Sequence, residues 1–397
     1  MCKEKDFKSE NSRRNFIRNS VVAGAGIILA NNTAFASASP FAYNSQRRLI
    51  KTKGYAATDK SGKLSPWTFE RRSVGDDDIL IDIKFSGVCH SDIHTVRGEW
   101  GEQKYPLVPG HEIAGVVTAV GKNVTKFKIG DHAGVGCMVD SCGTCASCKK
   151  GEQQYCDNKA TIMTYGTPDK TSPSGITQGG YATNIVVKNT FAILIPKDMP
   201  LREAAPLLCA GVTTYSPLMK AKISKGMKVG VAGVGGLGHL AIKLAVSKGA
   251  EVYAFTTSAD KVTDIRQFGA KEVIVVDDIN KLKAYAGKLD YMISTIPQDY
   301  DLGAYSSMVK PNGYYTQVGL PAGKISFNNF AFVNNRVNFN GSLIGGIAET
   351  QEVLDYCAAH QIHPVVQTVK AADLNEIYEK VVNKQARYRY VIDTASI

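Results

Sequence analysis

The sequence predicts an α/β protein in two parts: a mainly-β region followed by a doubly wound parallel sheet. Three observations carry this. "KVGVAG" running into "VGGLGHLAIKLAVSKGA" reads as a strand, a glycine turn and a helix. "EVYAFTT", "EVIVVDD", "DYMISTI" and "GYYTQVGL" are strand-like and separated by helix-length stretches, the alternation of parallel strands joined by crossovers. The preceding region, about Arg47 to Pro206, is built of short valine, isoleucine and glycine segments. With 397 residues, 44% of them hydrophobic, the chain buries at least one large core, and its length favours two domains.

In chain order the first element is a leader. Arg13 and Arg14 in "SRRNFIRNS" stand before the apolar run Val21 to Ala30, which is far shorter than the roughly 20 residues a bilayer span requires. Small residues at Ala34, Ala36 and Ala38 make cleavage sites after Ala36 or Ala38. We expect a signal peptide over residues 1–36, a linker over 37–48 and no membrane anchor in the mature chain. The string Ser12 to Arg18 resembles the twin-arginine export signal over its whole consensus. That resemblance implies the twin-arginine export machinery as a partner and a periplasmic destination reached after folding. The formal net charge is +11, part of it in the leader, and no clustered Lys/Arg block marks a nucleic-acid partner.

Nine cysteines are present, and four of them, Cys142, Cys145, Cys148 and Cys156, crowd into "SCGTCASCKKGEQQYC". In an exported chain disulfides are the ordinary expectation. This spacing instead suits four thiolates converging on one ion, with Gly143 and Gly151 allowing tight turns. A closed structural zinc site is the reading; thiolates alone leave an iron–sulfur cluster open as the alternative.

Three further pieces flank the lobe. "FSGVCHSDIHTVRGEW" contains Cys89, His90, Ser91, Asp92 and His94; "YPLVPGHEIAGVVTAVG" contains His111 and Glu112; "PLLCAGVTTYSPL" contains Cys209. Each is unspecific alone. Together with the lobe they resemble the zinc-dependent medium-chain dehydrogenases, and within them the cinnamyl alcohol dehydrogenase-like, NADP-dependent branch, from about Tyr55 to Asp393.

The resemblance implies a GroES-like mainly-β catalytic domain, residues 49–206 and 345–397, made discontinuous by the returning tail. Between its halves it implies a Rossmann NADP-binding domain, residues 207–344. Cys89, His111 and Cys209 are then the catalytic zinc ligands, with Glu112 as a fourth, exchangeable one. Two thiolates and an imidazole leave one position open, where the ion serves as a Lewis acid for a substrate oxygen. Asp92 is implied to orient the ligating histidine. Ser91 and His94 are implied to relay the alcohol proton. His90 is implied to touch the cofactor pyrophosphate, and the nucleotide domains to join in a homodimer. The sequence departs slightly in "GHEIAG", where Ala114 replaces the larger aliphatic residue common in the branch. Trp100, soon after His94, is placed to line an apolar substrate pocket.

In the nucleotide half, Gly233, Gly235 and Gly238 form G-x-G-x-x-G in its strand–turn–helix setting, with Gly236 and Leu237 between them. Glycines let the backbone approach a pyrophosphate, and the helix N-terminus offers unpaired N–H groups. After the second strand an NAD site would carry a carboxylate for the ribose 2′-hydroxyl. Here stand Thr256, Thr257 and Ser258, with Lys261 close behind, a set that suits a 2′-phosphate and predicts NADP.

The expected function is therefore that of an NADP-linked zinc alcohol dehydrogenase or aldehyde reductase, with two zinc ions per chain, acting on small primary alcohols and aldehydes. The rival from another class is an exported zinc- and nucleotide-binding protein without turnover. A zinc-free quinone reductase would not need Cys89, His111 and Cys209 together.

Overall fold

The computed structural model describes residues 48–321, 323 and 330–397. The leader over 1–36, with Arg13, Arg14 and the cleavage sites after Ala36 or Ala38, lies outside the described residues, as does nearly all of the 37–48 linker. Among the described residues no helix is long and apolar enough to cross a membrane.

Strands β1 (Ile50–Ala57) and β2 (Leu64–Arg71) form an antiparallel hairpin. The long strand β3 (Asp78–Gly87) alternates Ile79, Ile81 and Ile83 into the core, the period-two pattern of a half-buried strand. It pairs antiparallel with β4 (Ile113–Val120), which pairs with β5 (His132–Val135). Two short strands, β6 (Met138–Asp140) and β7 (Ile162–Met163), form a ladder on either side of the four-cysteine lobe. β8 (Asn184–Lys188) returns to β3, and β9 (Ile193–Leu194) to β5.

The second sheet is wholly parallel. It comprises β10 (Lys228–Ala232), β11 (Glu251–Thr256), β12 (Glu272–Val275), β13 (Leu289–Ser294), β14 (Val309–Gln317) and β15 (Asn338–Gly341). Its order is β12-β11-β10-β13-β14-β15. Val229, Val231 and Ala232 of the central strand are fully buried, as expected of a parallel strand covered on both faces. The order reverses between β10 and β13, and in such sheets the crevice beyond the carboxyl ends at that switch point receives the ligand.

After the helices Ile347–Ala359 and Leu374–Val382 come β16 (Val366–Lys370) and β17 (Arg389–Asp393) in the order helix, strand, helix, strand, and β17 pairs with β3 of the first sheet. The chain thus adopts the mainly-β plus doubly wound architecture. One core cluster runs from Ala114 and Val391 through Leu208 and Tyr215 to Val229 and Val231, so apolar packing is continuous between the two sheets.

Candidate active site and metal centres

Cys89, His111, Glu112 and Cys209 come from three separate parts of the chain and converge in the interior, their donor atoms all within 4.8 Å of one another. Each element has a reason to deliver its residue. Cys89 ends the stretch after β3 and precedes the short helix His90–Val96; His111 and Glu112 precede β4; Cys209 lies in a π-helical turn, Leu207–Gly211. His111 Nε2 is 3.2 Å from the Cys209 sulfur. Donors bonded at roughly 2.0–2.3 Å to one tetrahedral zinc lie closer than about 4 Å to each other, so the cluster fits that ion with modest contraction.

Asp92 organises this cluster. It is fully buried and accepts from His111 Nδ1 at 2.9 Å, the Cys89 N–H at 2.9 Å, the Gly110 N–H at 3.2 Å and the Tyr181 hydroxyl at 2.9 Å. With Nδ1 donating to Asp92, the lone pair of Nε2 is left to face the sulfurs. Glu112 is also fully buried. One of its oxygens accepts from Arg389, and the other, Oε2, has no hydrogen-bond partner among the described residues. Burial pushes its carboxyl up to about 7 against the pull of Arg389. A Cβ on Gly87 would fall 1.9 Å from Oε2, so only glycine leaves room for this carboxylate.

The second cluster is Cys142, Cys145, Cys148 and Cys156, again with sulfurs within 4.8 Å. The Cys142–Cys148 and Cys145–Cys156 separations, 3.8 and 3.9 Å, are those of sulfurs sharing an ion, and all four are free thiols. Cys145 Sγ accepts from the N–H groups of Cys148 and Asp157, each at 3.4 Å, and Cys142 Sγ from Asn158 Nδ2 at 3.3 Å. Such donors stabilise thiolate charge.

A cleft runs between the sheets. Its wall includes Cys89, His90, Ser91, His94 and Trp100 on one side, and Gly233, Gly235, Gly236, Leu237, Thr257, Ser258 and Lys261 on the other. Gly233 has φ +81°, and a Cβ on Gly238 would meet the Gly233 carbonyl at 2.0 Å, so the turn into the helix Gly238–Ser247 closes only with glycine there. A Cβ on Gly235 would meet no protein atom within 4 Å, which leaves that backbone open to a ligand. Thr256 differs from expectation. Thr256, the last residue of β11, is buried and off the cleft wall that Thr257 and Ser258 line, its hydroxyl accepting from the Ser258 N–H at 3.1 Å.

Residues 75–197 match the alcohol dehydrogenase GroES-like domain family, and residues 236–359 the zinc-binding dehydrogenase family. An NADP-dependent alcohol dehydrogenase of Mycolicibacterium smegmatis is 47% identical over 343 residues, covering 86% of this chain and 98% of the relative.

The chain belongs to the zinc-binding, medium-chain alcohol dehydrogenases.

Among solved structures, a cinnamyl alcohol dehydrogenase from Sorghum bicolor superposes with a TM-score of 0.84 at 39% identity, covering 87% of this chain and 98% of that one. The Helicobacter pylori CAD complexed with NADP(H) gives 0.83 at 43% identity, covering 88% and 99%.

Several residues of this dehydrogenase's site were invisible to sequence reasoning. Arg389 is 4% exposed, holds Glu112 and lies against the glycine turn, where a Cβ on Gly236 would be 2.6 Å from its Nη1. Glu99 accepts from His94 Nδ1, and His94 Nε2, buried and without a partner among the described residues, is left as the free face of that ring. The rings of His90, His94 and Trp100 stack in series, with centroids 5.6 and 4.9 Å apart. Ser91 Oγ is 3.6 Å from the Cys89 sulfur, but no hydrogen bond joins Ser91 directly to His94 among the described residues. His239, whose pKa burial lowers to about 3, accepts from the Val365 N–H at 3.3 Å and ties the helix after the glycine turn to the tail. Cys137 packs against Cys89 and Cys209 as a third buried sulfur.

Proposed function

We propose that this dehydrogenase interconverts primary alcohols and aldehydes with NADP(H), using a catalytic zinc at Cys89, His111 and Cys209 and a structural zinc at Cys142, Cys145, Cys148 and Cys156. The observation that carries the reading is that Cys89, one of the three donors, lines the same cleft as the glycine turn Gly233–Leu237. When bound, zinc supplies a Lewis acid for the substrate oxygen, and NADPH the hydride that turns an aldehyde into an alcohol. The rest is work for the chain itself. Asp92 fixes the tautomer and angle of His111; Glu112, with one free oxygen, is the exchangeable donor; Gly233 to Leu237 and the helix behind them receive the pyrophosphate, with Arg389 and His90 beside it. Ser91 and His94 move the proton, and Glu99 holds the His94 ring. Thr257, Ser258 and Lys261 receive the 2′-phosphate. We take the catalytic part as residues 49–206 with 345–397 and the nucleotide part as 207–344, with the substrate between them. The test is NADPH consumption by the purified protein with an aldehyde panel: turnover on aldehydes supports the reading, and tight NADPH binding without turnover on any aldehyde favours the non-catalytic rival.

Trp100, 40% exposed at the cleft, suits an apolar pocket for aromatic or medium-length aldehydes. Trp100→Ala is expected to lower turnover on benzylic relative to short aliphatic aldehydes by about tenfold, the size of a lost apolar contact. An unchanged ratio removes Trp100 from substrate selection.

Export by the twin-arginine route, to the periplasm, suits this chemistry. Eight cysteines follow the leader, and thiols needed for zinc are protected from an oxidising compartment when metal loading and folding come first. Replacing Arg13 and Arg14 with Lys is expected to hold the precursor in the cytoplasm; unaltered export would contradict this. A homodimer through the nucleotide halves is supported by β15, an edge strand of the parallel sheet in which every residue is exposed.

A further inference from the structure

Lys261 is a buried cation without an anion. It is 5% exposed, and among the described residues its ammonium has no carboxylate within ion-pairing distance; its hydrogen bond goes to the Lys384 carbonyl, at 3.4 Å. A lysine is almost never buried this fully without a partner of opposite charge. The two carboxylates on its own turn and helix are already engaged. Arg387 binds Asp260 Oδ2 with Nη2 and Asp264 Oδ2 with Nη1 at 3.3 Å, and the Tyr388 hydroxyl donates to Asp264 at 3.0 Å. The Tyr388 ring completes the enclosure, its centroid 5.5 Å from Lys261 Nζ.

Lys384 enters this corner from the other sheet's tail. It closes the helix Leu374–Val382, its N–H donating to the Val381 carbonyl at 3.2 Å, and its φ of +61° turns the chain back toward β17. It lines the cleft beside Thr257, Ser258 and Lys261. Burial first, then the charge of Arg387, pushes the Lys261 ammonium below its ordinary pKa against the pull of Asp260 and Asp264, with Lys384 adding to the lowering. Two lysines, one from the turn after β11 and one from the tail, therefore share one end of the cleft, at the hydroxyls that follow β11, and among the described residues neither forms an ion pair with a carboxylate.

We propose that Lys384 is a second cation for the 2′-phosphate of NADP, so that the phosphate is gripped from both sheets, by Lys261 on the turn after β11 and by Lys384 on the tail. This rests on the NADP reading above and extends it: the 2′-phosphate becomes a clasp between the two halves as well as a mark of cofactor identity. Lys384→Asn is the informative variant, because asparagine tolerates the left-handed backbone at this position and leaves the turn intact.

The experiment is calorimetric binding of 2′,5′-ADP and 5′-AMP to the full chain at low salt. Lys384→Asn is expected to weaken 2′,5′-ADP about tenfold, as for one lost charge-assisted hydrogen bond, and to leave 5′-AMP within about twofold. Lys384→Arg is expected to retain tight binding of 2′,5′-ADP. If Lys384→Asn binds 2′,5′-ADP as wild type does while Lys261→Met loses it, the proposal is overturned and the NADP reading stands. Equal losses for both nucleotides in Lys384→Asn also overturn it, since they would report a disturbed turn. If the wild-type chain binds 5′-AMP as tightly as 2′,5′-ADP, the NADP reading itself falls.

Discussion

Cys89→Ser is expected to reduce NADPH-dependent aldehyde turnover by about a thousandfold or more while the protein stays folded. A metal ion polarising the substrate oxygen is worth several kcal/mol at the transition state, and each 1.36 kcal/mol is about a factor of ten in rate. Removing one of the three fixed donors forfeits most of that. The fold is expected to survive for two reasons. Serine is nearly isosteric and is a favoured residue just ahead of a helix such as His90–Val96, and the four-cysteine lobe is built from separate residues. Turnover is measured beside zinc content and thermal unfolding. Full activity in the variant would remove Cys89 from the reaction; unfolding would leave the question to Cys209→Ser, read in the same way.

Asp92→Ala is expected to cost about 3–5 kcal/mol of stability as well as activity, the scale for breaking a buried, hydrogen-bonded charge. The carboxylate is fully buried and satisfies His111, Tyr181 and the N–H groups of Cys89 and Gly110. With it gone, these four donors stay in the interior with no acceptor. Asp92→Asn keeps the volume but presents an amide NH₂ toward groups that themselves donate, so it should be intermediate in stability and bind zinc more weakly by about 10- to 100-fold. A urea midpoint unchanged in Asp92→Ala would contradict this account of how the site is held together.

What was legible in the sequence was whatever is local. Cys142 to Cys156 lie within one lobe, and the turn Gly233 to Gly238 declares itself by spacing between a strand and a helix. The distant donors Cys89, His111 and Cys209, which the structure brings together, were legible as a set only through resemblance, since no periodicity links residues so far apart. Arg389 escaped because its partner Glu112 lies 277 positions away and "RYRYVID" reads as an ordinary strand. Lys384 escaped for a similar reason: only the pairing of β17 with β3 brings the tail across to Lys261. Thr256 was grouped with Thr257 and Ser258 by composition, but it ends β11 with its hydroxyl turned to the Ser258 N–H, while the other two follow the strand and line the cleft. In the tail, β16 and β17 are short and take their register from neighbours rather than from a pattern of their own.

The most direct test is to follow the label from NADPH carrying deuterium at nicotinamide C4, using each of the two C4 epimers, in a reaction with an aldehyde. Mass spectrometry of the product alcohol should find one deuterium on the carbinol carbon from one epimer, and none when Cys89→Ser is used at the same concentration. Zinc-loaded protein that binds NADPH yet passes no label to any aldehyde would contradict the account at its centre.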